Sequence, residues 1–232
     1  MRAYKRIKAL AMVADGLISE DAVVADIACD HGYLAELFDR NNKIKRVYAT
    51  DISQKCLDKI EKLKKDFNLS KVETLLGDGL EPLHKINLAV IAGVGGLEII
   101  KMLTKQNETI NGERKCDIFV LQPAQNVFEF RKWLFEEEIF VISDFLVEDA
   151  KRFYPIIAID VSKKQKNEAS LFNLYCGRDN DIENLEFRHF LEFSIKNFEY
   201  LESVSHETIN RDSVLFEKYQ IYNMLNSIKN KT

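Results

Sequence analysis

With three prolines and nine glycines among 232 residues, the chain is neither fibrous nor linker-rich, and nothing in it marks a low-complexity or disordered segment. The four cysteines (Cys29, Cys56, Cys116 and Cys176) are scattered. They form no Cys-x-x-Cys pair and no cysteine–histidine cluster, which excludes a zinc ribbon and a disulfide framework, and no metal is expected. No apolar run approaches the roughly 18 residues that span a bilayer. The N-terminal Met-Arg-Ala-Tyr-Lys-Arg leads into an amphipathic stretch rather than a signal-peptide core, so a soluble, cytoplasmic protein without membrane contact is expected. Also missing is Gly-x-Gly-x-x-Gly after the first apolar strand, which argues against a pyrophosphate binder such as a nicotinamide-dependent oxidoreductase.

The chain does contain ordinary globular material: 46% hydrophobic and 30% charged residues. This length can bury a core without covalent staples. A net charge of −4 opposes indiscriminate nucleic-acid binding, but residues 1–72 carry +3 and the remainder −7. Part of the early excess lies on a predicted helix over 2–14, where Ile7, Leu10, Ala11 and Ala14 share one face and Arg2, Lys5, Arg6 and Lys8 lie mostly around the other.

From residue 22 the pattern alternates. AVVADIA (22–28), RVYAT (46–50), VETLL (72–76), NLAVIAG (87–93) and DIFVLQP (117–123) read as strands. Leu34–Arg40, Gln54–Phe67, Leu97–Leu103 and Val127–Glu137 read as the helices between them. Such alternation predicts right-handed βαβ units: an α/β fold, Rossmann-like, with helices on both faces of a parallel sheet. Beyond 138, three segments (139–149, 153–162 and 170–176) read as strands at an antiparallel edge. Residues 1–177 are taken as the main domain. Residues 178–232 read as an appendage of two helices, about 182–204 and 208–229. Phe187, Leu191, Ser194, Phe198 and Leu201 on the first and Val214, Lys218, Ile221, Leu225 and Ile228 on the second follow a coiled-coil-like spacing. A short link forces an antiparallel hairpin, either a packing or dimerisation element or a substrate-docking arm.

In such a sheet the ligand binds beyond the carboxyl ends of the strands. The first ends Asp26-Ile-Ala-Cys-Asp-His-Gly32, where Asp30 would repel a phosphate. The second ends in Asp51, placed to accept from both hydroxyls of a ribose or, alternatively, to cap the following helix. The third ends Gly77-Asp78-Gly79, whose carboxylate suits an exocyclic amine. The fourth ends Ala92-Gly93-Val-Gly-Gly96, a bare backbone open to close approach. The fifth ends Leu121-Gln122-Pro123, with Gln122 offering a donor and an acceptor. Acids at three strand ends without a phosphate cradle suit a cationic nucleoside, S-adenosylmethionine.

At these residues the chain resembles the bacterial tRNA adenine-22 N1-methyltransferases, the TrmK family. The likeness is carried by KRIKALA (5–11), ADIACDHGYL (25–34), Asp51, GDGL (77–80), AGVGG (92–96), LQP (121–123) and EDAKRFYPI (148–156). The family has glycine where Ala28 stands, threonine or serine for Cys29, proline for Ala35 and methionine for Val94. The resemblance implies a class I methyltransferase sheet and methyl transfer from S-adenosylmethionine to N1 of adenine in tRNA. It implies cofactor contacts at Asp26, Ala28, Cys29, Gly32, Asp51, Ile52, Asp78, Gly79 and Gly93, catalytic roles for Asp30 and Gln122, and RNA contacts at Arg2, Lys5, Arg6 and Tyr33. Phe153 and Tyr154 are further stacking candidates, and the hairpin would embrace the tRNA. No obligate protein partner is evident. The rival readings are a same-fold methyltransferase for another RNA or a small molecule, and a non-catalytic RNA-binding scaffold.

Overall fold

Alternate residues of the first strand, β1 (Ala22–Ile27), feed two separate cores: Val24 packs on one side of the sheet, Ala25 and Ile27 on the other. A strand buried on both faces must be covered twice, and the computed structural model shows how. It describes residues 4–107, 114–166, 169–204 and 214–229. The first layer comprises α1 (Lys5–Leu17), α2 (Tyr33–Asp39) and α3 (Gln54–Phe67), which bury Ile7, Leu10, Leu34, Phe38, Leu57 and Ile60. Opposite lie α4 (Gly96–Asn107) and α5 (Val127–Glu136), burying Ile99, Leu103, Phe130 and Leu134. Each such large side chain contributes roughly 1.5–3 kcal/mol when fully buried.

Between the layers runs a seven-stranded sheet. Its members are β1, β2 (Ile44–Asp51), β3 (Val72–Leu76), β4 (Leu88–Val94), β5 (Ile118–Pro123), β6 (Ile139–Asp149) and β7 (Arg152–Lys164), ordered β3-β2-β1-β4-β5-β7-β6. The first five pair parallel, and β7 pairs antiparallel with both β5 and β6. β1 to β3 build outward on one side and β4 starts the other, so the switch point falls between β1 and β4. Strands β6 and β7 join through Ala150 and Lys151, whose φ angles of 50° and 62° give the two-residue turn that matches strand twist.

One expectation is corrected. Residues 170–176 do not form a strand: Leu171–Cys176 is a short helix, α6, capped by the Ser170 side chain, which accepts from Asn173 N at 3.1 Å. Leu171, Phe172, Tyr175 and Cys176 recur at helical rather than alternating spacing, and that face packs into one cluster with α7 (Leu185–Val204) and α8 (Val214–Lys229). Phe187, Leu191, Ile195, Ile221 and Leu225 are its buried members from the two long helices; Ser194 is also buried, and Phe198 and Ile228 are partly so. The expected link at 205–213 lies outside the described residues, as do the side chains of Leu201, Val214 and Lys218.

A buried ion pair ties this base to the sheet. Arg131 donates from Nε and Nη2 to the Asp144 carboxylate, both at 2.8 Å, and from Nη1 to the carbonyl of Tyr175 at 2.8 Å. Asp179 accepts from Asp144 N at 2.8 Å and closes the arrangement. Losing one partner of such a pair costs about 3–5 kcal/mol because the other charge stays buried.

Candidate active site

The carboxyl ends of β1, β2 and β4 converge at the switch point, and the loop after β1 is shaped by three left-handed residues: Ala28 (φ 58°), Asp30 (39°) and Gly32 (69°). Gly32 is fixed by packing as well as conformation, since a Cβ there would lie 2.9 Å from Ile60 Cγ1 on α3. Ala28 holds its conformation without that freedom, at a cost of about 1–2 kcal/mol. The turn is pinned by Cys29 N donating to Thr50 O at 3.2 Å and Gly32 N to Cys29 O at 2.8 Å, and Cys29 itself is buried.

Asp26, inside β1, is 4% exposed. Burial pushes its carboxyl up to about 8, and the nearby Asp51 charge adds to that, against the Ala35 backbone N–H that favours the anion. Asp51 ends β2 with both oxygens engaged by backbone: Oδ1 accepts from Ser53 N at 2.8 Å and Oδ2 from Asp30 N at 3.4 Å. Asp51 is not the helix cap, since Ser53 is the N-cap of α3 and no side chain caps that helix; the carboxylate instead holds the turn before α3 and braces the β1 loop, with lone pairs to spare for a ligand. Beside it Ile52 is 75% exposed, and Leu76, which ends β3, is 56% exposed. Two large apolar side chains are thus left in water at the ends of the neighbouring strands β2 and β3.

Asp30 projects from the loop, its side chain largely exposed. Oδ2 meets His31 Nδ1 at 2.5 Å and Oδ1 meets Lys59 Nζ at 3.2 Å. Its partial burial opposes ionisation, but the hydrogen bonds from His31 and Lys59 prevail and hold the carboxyl below its usual value. Asp30 is therefore charged at neutral pH. The His31 ring stacks on Tyr33 (centroids 5.6 Å apart, planes 18° apart), and Tyr33 meets the exposed Tyr4 edge-on at 6.2 Å.

Across the switch point, Gly93 (φ 77°) and Gly95 would each carry a Cβ into open space, with no atom within 4 Å. The backbone at the carboxyl end of β4 is therefore open to close approach. Behind β3, Asp78 lies exposed, 3.5 Å from Lys105 Nζ, while the Gly79 carbonyl accepts from Thr50 Oγ1 at 3.2 Å. Gln122, opposite Ala92 at the end of β5, is 1% exposed.

The basic residues of α1 divide. Lys5 pairs with Glu186 on α7. Arg6 turns inward, donating from Nη1 to Gln122 Oε1 at 2.9 Å, with its guanidinium carbon 5.1 Å from the Tyr154 ring centroid. Phe153 packs against Phe190 and Phe193 of α7. Arg2 lies outside the described residues. The structure thus brings Asp26, Ala28, Cys29, Asp30, Gly32, Asp51, Ile52 and Gly93 to one edge, with Asp78 and Gly79 beside it and Gln122 behind. Sequence reasoning missed Lys59 and Tyr4. Lys59 carries no local signal, whereas Tyr4, an aromatic beside the basic stretch, was visible. Among the described residues, no group of three or more His, Cys, Asp or Glu side chains could hold a metal ion, and no helix is long and apolar enough to cross a membrane.

The chain matches the methyltransferase-domain family over residues 5–157. It is 31% identical over 164 residues to "Putative tRNA methyltransferase MG248" of Mycoplasma genitalium, covering 69% of this chain and 71% of that protein. Identity is 28% over 167 residues to the Bacillus subtilis tRNA (adenine(22)-N(1))-methyltransferase, covering 71% and 68%. Among solved structures, M. capricolum TrmK in complex with S-adenosyl-homocysteine superposes with a TM-score of 0.75 at 24% identity, covering 100% of this chain and 98% of that one; it speaks to the fold. The switch-point carboxylates, the open glycine backbone and these alignments agree: the chain belongs to the methyltransferase-domain family.

Proposed function

We propose that this protein transfers the methyl group of S-adenosylmethionine to N1 of adenine 22 of tRNA. The observation that carries the reading is the fixed Asp51 carboxylate next to exposed Ile52, with the open backbone of Gly93 at the end of β4 on the other side of β1, in a chain aligned with a B. subtilis enzyme named for that reaction.

The residues present fit a cationic nucleoside. Asp51 keeps lone pairs for the ribose hydroxyls, Ile52 and Leu76 offer an apolar shelf for the purine, and Asp78 stands within the same rim for its amine. The open backbone at Gly93 would leave room for the amino-acid end. When bound, the cofactor supplies an electrophilic methyl on a sulfonium. Everything else falls to the chain. N1 of adenine carries an in-plane lone pair and no proton, so the protein needs no general base; it has to align the ring and exclude competing geometries. Positive charge arrives on the purine, and a carboxylate that is ionised beforehand stabilises it without reorganisation. Asp30 meets that requirement, its charge secured by His31 and Lys59.

N1 is occupied in a paired adenine, so the target base must leave its stack. The Tyr4–Tyr33–His31 aromatic group beside Asp30 offers it a new one, worth roughly 1–3 kcal/mol per stacked base. Residues 178–232 serve as the tRNA-docking arm, presenting Phe193 and Tyr200 to solvent on α7. The test is transfer of labelled methyl to an unmodified tRNA transcript followed by digestion to nucleosides. N1-methyladenosine is expected, and Asp30→Asn should lower its rate of formation about tenfold or more with the melting temperature kept. A different methylated nucleoside, or an Asn variant at full rate, would refute the reaction or the role of Asp30 respectively.

A further inference from the structure

Gln122 is poorly placed to touch a substrate. It is 1% exposed, and both ends of its amide are engaged: Nε2 donates to the Pro123 carbonyl at 3.1 Å, and Oε1 accepts from Arg6 Nη1 at 2.9 Å. Turning the amide over would set its NH₂ against a guanidinium and its carbonyl against a carbonyl, so one orientation is fixed. The better exposed partner is Arg6. Its backbone N–H donates to Asp149 Oδ2 at 3.0 Å, and its guanidinium lies over the Tyr154 ring and is held end-on by Gln122. Among the described residues its guanidinium spends one N–H on a hydrogen bond, and a guanidinium has five. An arginine restrained at backbone, ring face and tip, with donors unspent, has little freedom left to lose on meeting an anion.

From this we infer that Gln122 is a positioning residue, and that with Tyr154 it holds Arg6 as a preset receptor for one oxyanion at the β4–β5 edge. The inference rests on the proposed reaction for the identity of that anion. Two oxyanions enter the site: a phosphodiester of the target nucleotide and the carboxylate of the cofactor's amino-acid end. Arg6 would take either through parallel N–H donors.

The experiment measures equilibrium binding of tRNA and of S-adenosyl-homocysteine, together with turnover, for the wild type, Arg6→Ala, Gln122→Met and the double variant; thermal melting verifies folding. Gln122→Met conserves volume and spares the core a cavity. Arg6→Ala should weaken one ligand about tenfold or more. Gln122→Met should weaken the same ligand less, and the double variant should be no worse than Arg6→Ala, since Gln122 acts through Arg6. Weaker tRNA binding with a salt dependence reduced by about 0.7–0.9 in log–log slope identifies the phosphodiester. Weaker S-adenosyl-homocysteine binding with unchanged tRNA affinity identifies the carboxylate. Either result supports the receptor. It is overturned if neither affinity moves, or if Gln122→Met lowers turnover in the Arg6→Ala background, which would return Gln122 to a direct role. A wild type that binds both ligands but transfers no methyl would defeat the proposed reaction while the binding constants still judge the receptor.

Discussion

Asp51 separates a cofactor role from a structural one because its two duties respond differently to two substitutions. Oδ1 accepts from Ser53 N at 2.8 Å, a bond that holds the turn before α3, and the longer 3.4 Å contact from Asp30 N leaves the carboxylate with acceptor capacity for a ribose. Asp51→Asn keeps an oxygen for Ser53, so the turn survives, but the amide nitrogen cannot accept and the charge is gone. One ribose bond is then lost and the other becomes neutral. With hydrogen bonds to charged groups worth about 1.5–3 kcal/mol, cofactor affinity should fall roughly 10–150-fold. Asp51→Ala removes the Ser53 hydrogen bond as well, adding about 1 kcal/mol of lost stability, or about 2–4 °C in melting temperature for a chain of this size. Titration calorimetry with S-adenosyl-homocysteine and thermal melting of the three proteins read both quantities. An Asn variant with wild-type affinity would refute the ribose role and leave Asp51 a turn-holding residue.

Two further outcomes follow from the β1 loop. Ala28→Gly should relieve the cost of a left-handed alanine, offset in part by the extra freedom of glycine in the unfolded chain, for a net gain of about 0.5–1 kcal/mol; melting should rise by about 1–3 °C, and a fall would show the strain to be absent. Asp26 carries a pH dependence. Its carboxyl sits at about 8 in the fold against an ordinary 3.8, so between those values the native state keeps a proton that the unfolded chain releases, and stability declines as pH rises through that window. Melting temperature should therefore be lower at pH 8 than at pH 6, and Asp26→Asn, which preserves an acceptor for Ala35 N, should flatten the difference; an unchanged slope would assign it to other groups.

Much of the fold was legible because its signals are local. Continuous apolar runs with helical segments between them give β1 to β5 and α2 to α5 to within a few residues, and reading each strand at its last residue finds Asp30, Asp51 and Gly93. Residues 170–176 misled because seven consecutive apolar or small polar residues satisfy a buried strand and a short helix alike; the Ser170 cap and the α7–α8 cluster decide for the helix. Partnerships lay beyond reach. Arg6 and Gln122 are 116 positions apart, and Lys5 and Glu186 are 181 apart, so no spacing rule connects them. Adjacent residues on one basic helix face thus turned out to serve two different neighbours, one on the hairpin side and one inside the sheet edge.

The central claim is tested most directly by paired reactions with labelled S-adenosylmethionine: one unmodified tRNA transcript with adenine at position 22 and the same transcript with guanine there. Label in the adenine transcript and none in the guanine transcript is the predicted result. Equal label in both would move the target elsewhere in the tRNA, and label in neither, with cofactor binding intact, would contradict the assignment of tRNA as substrate.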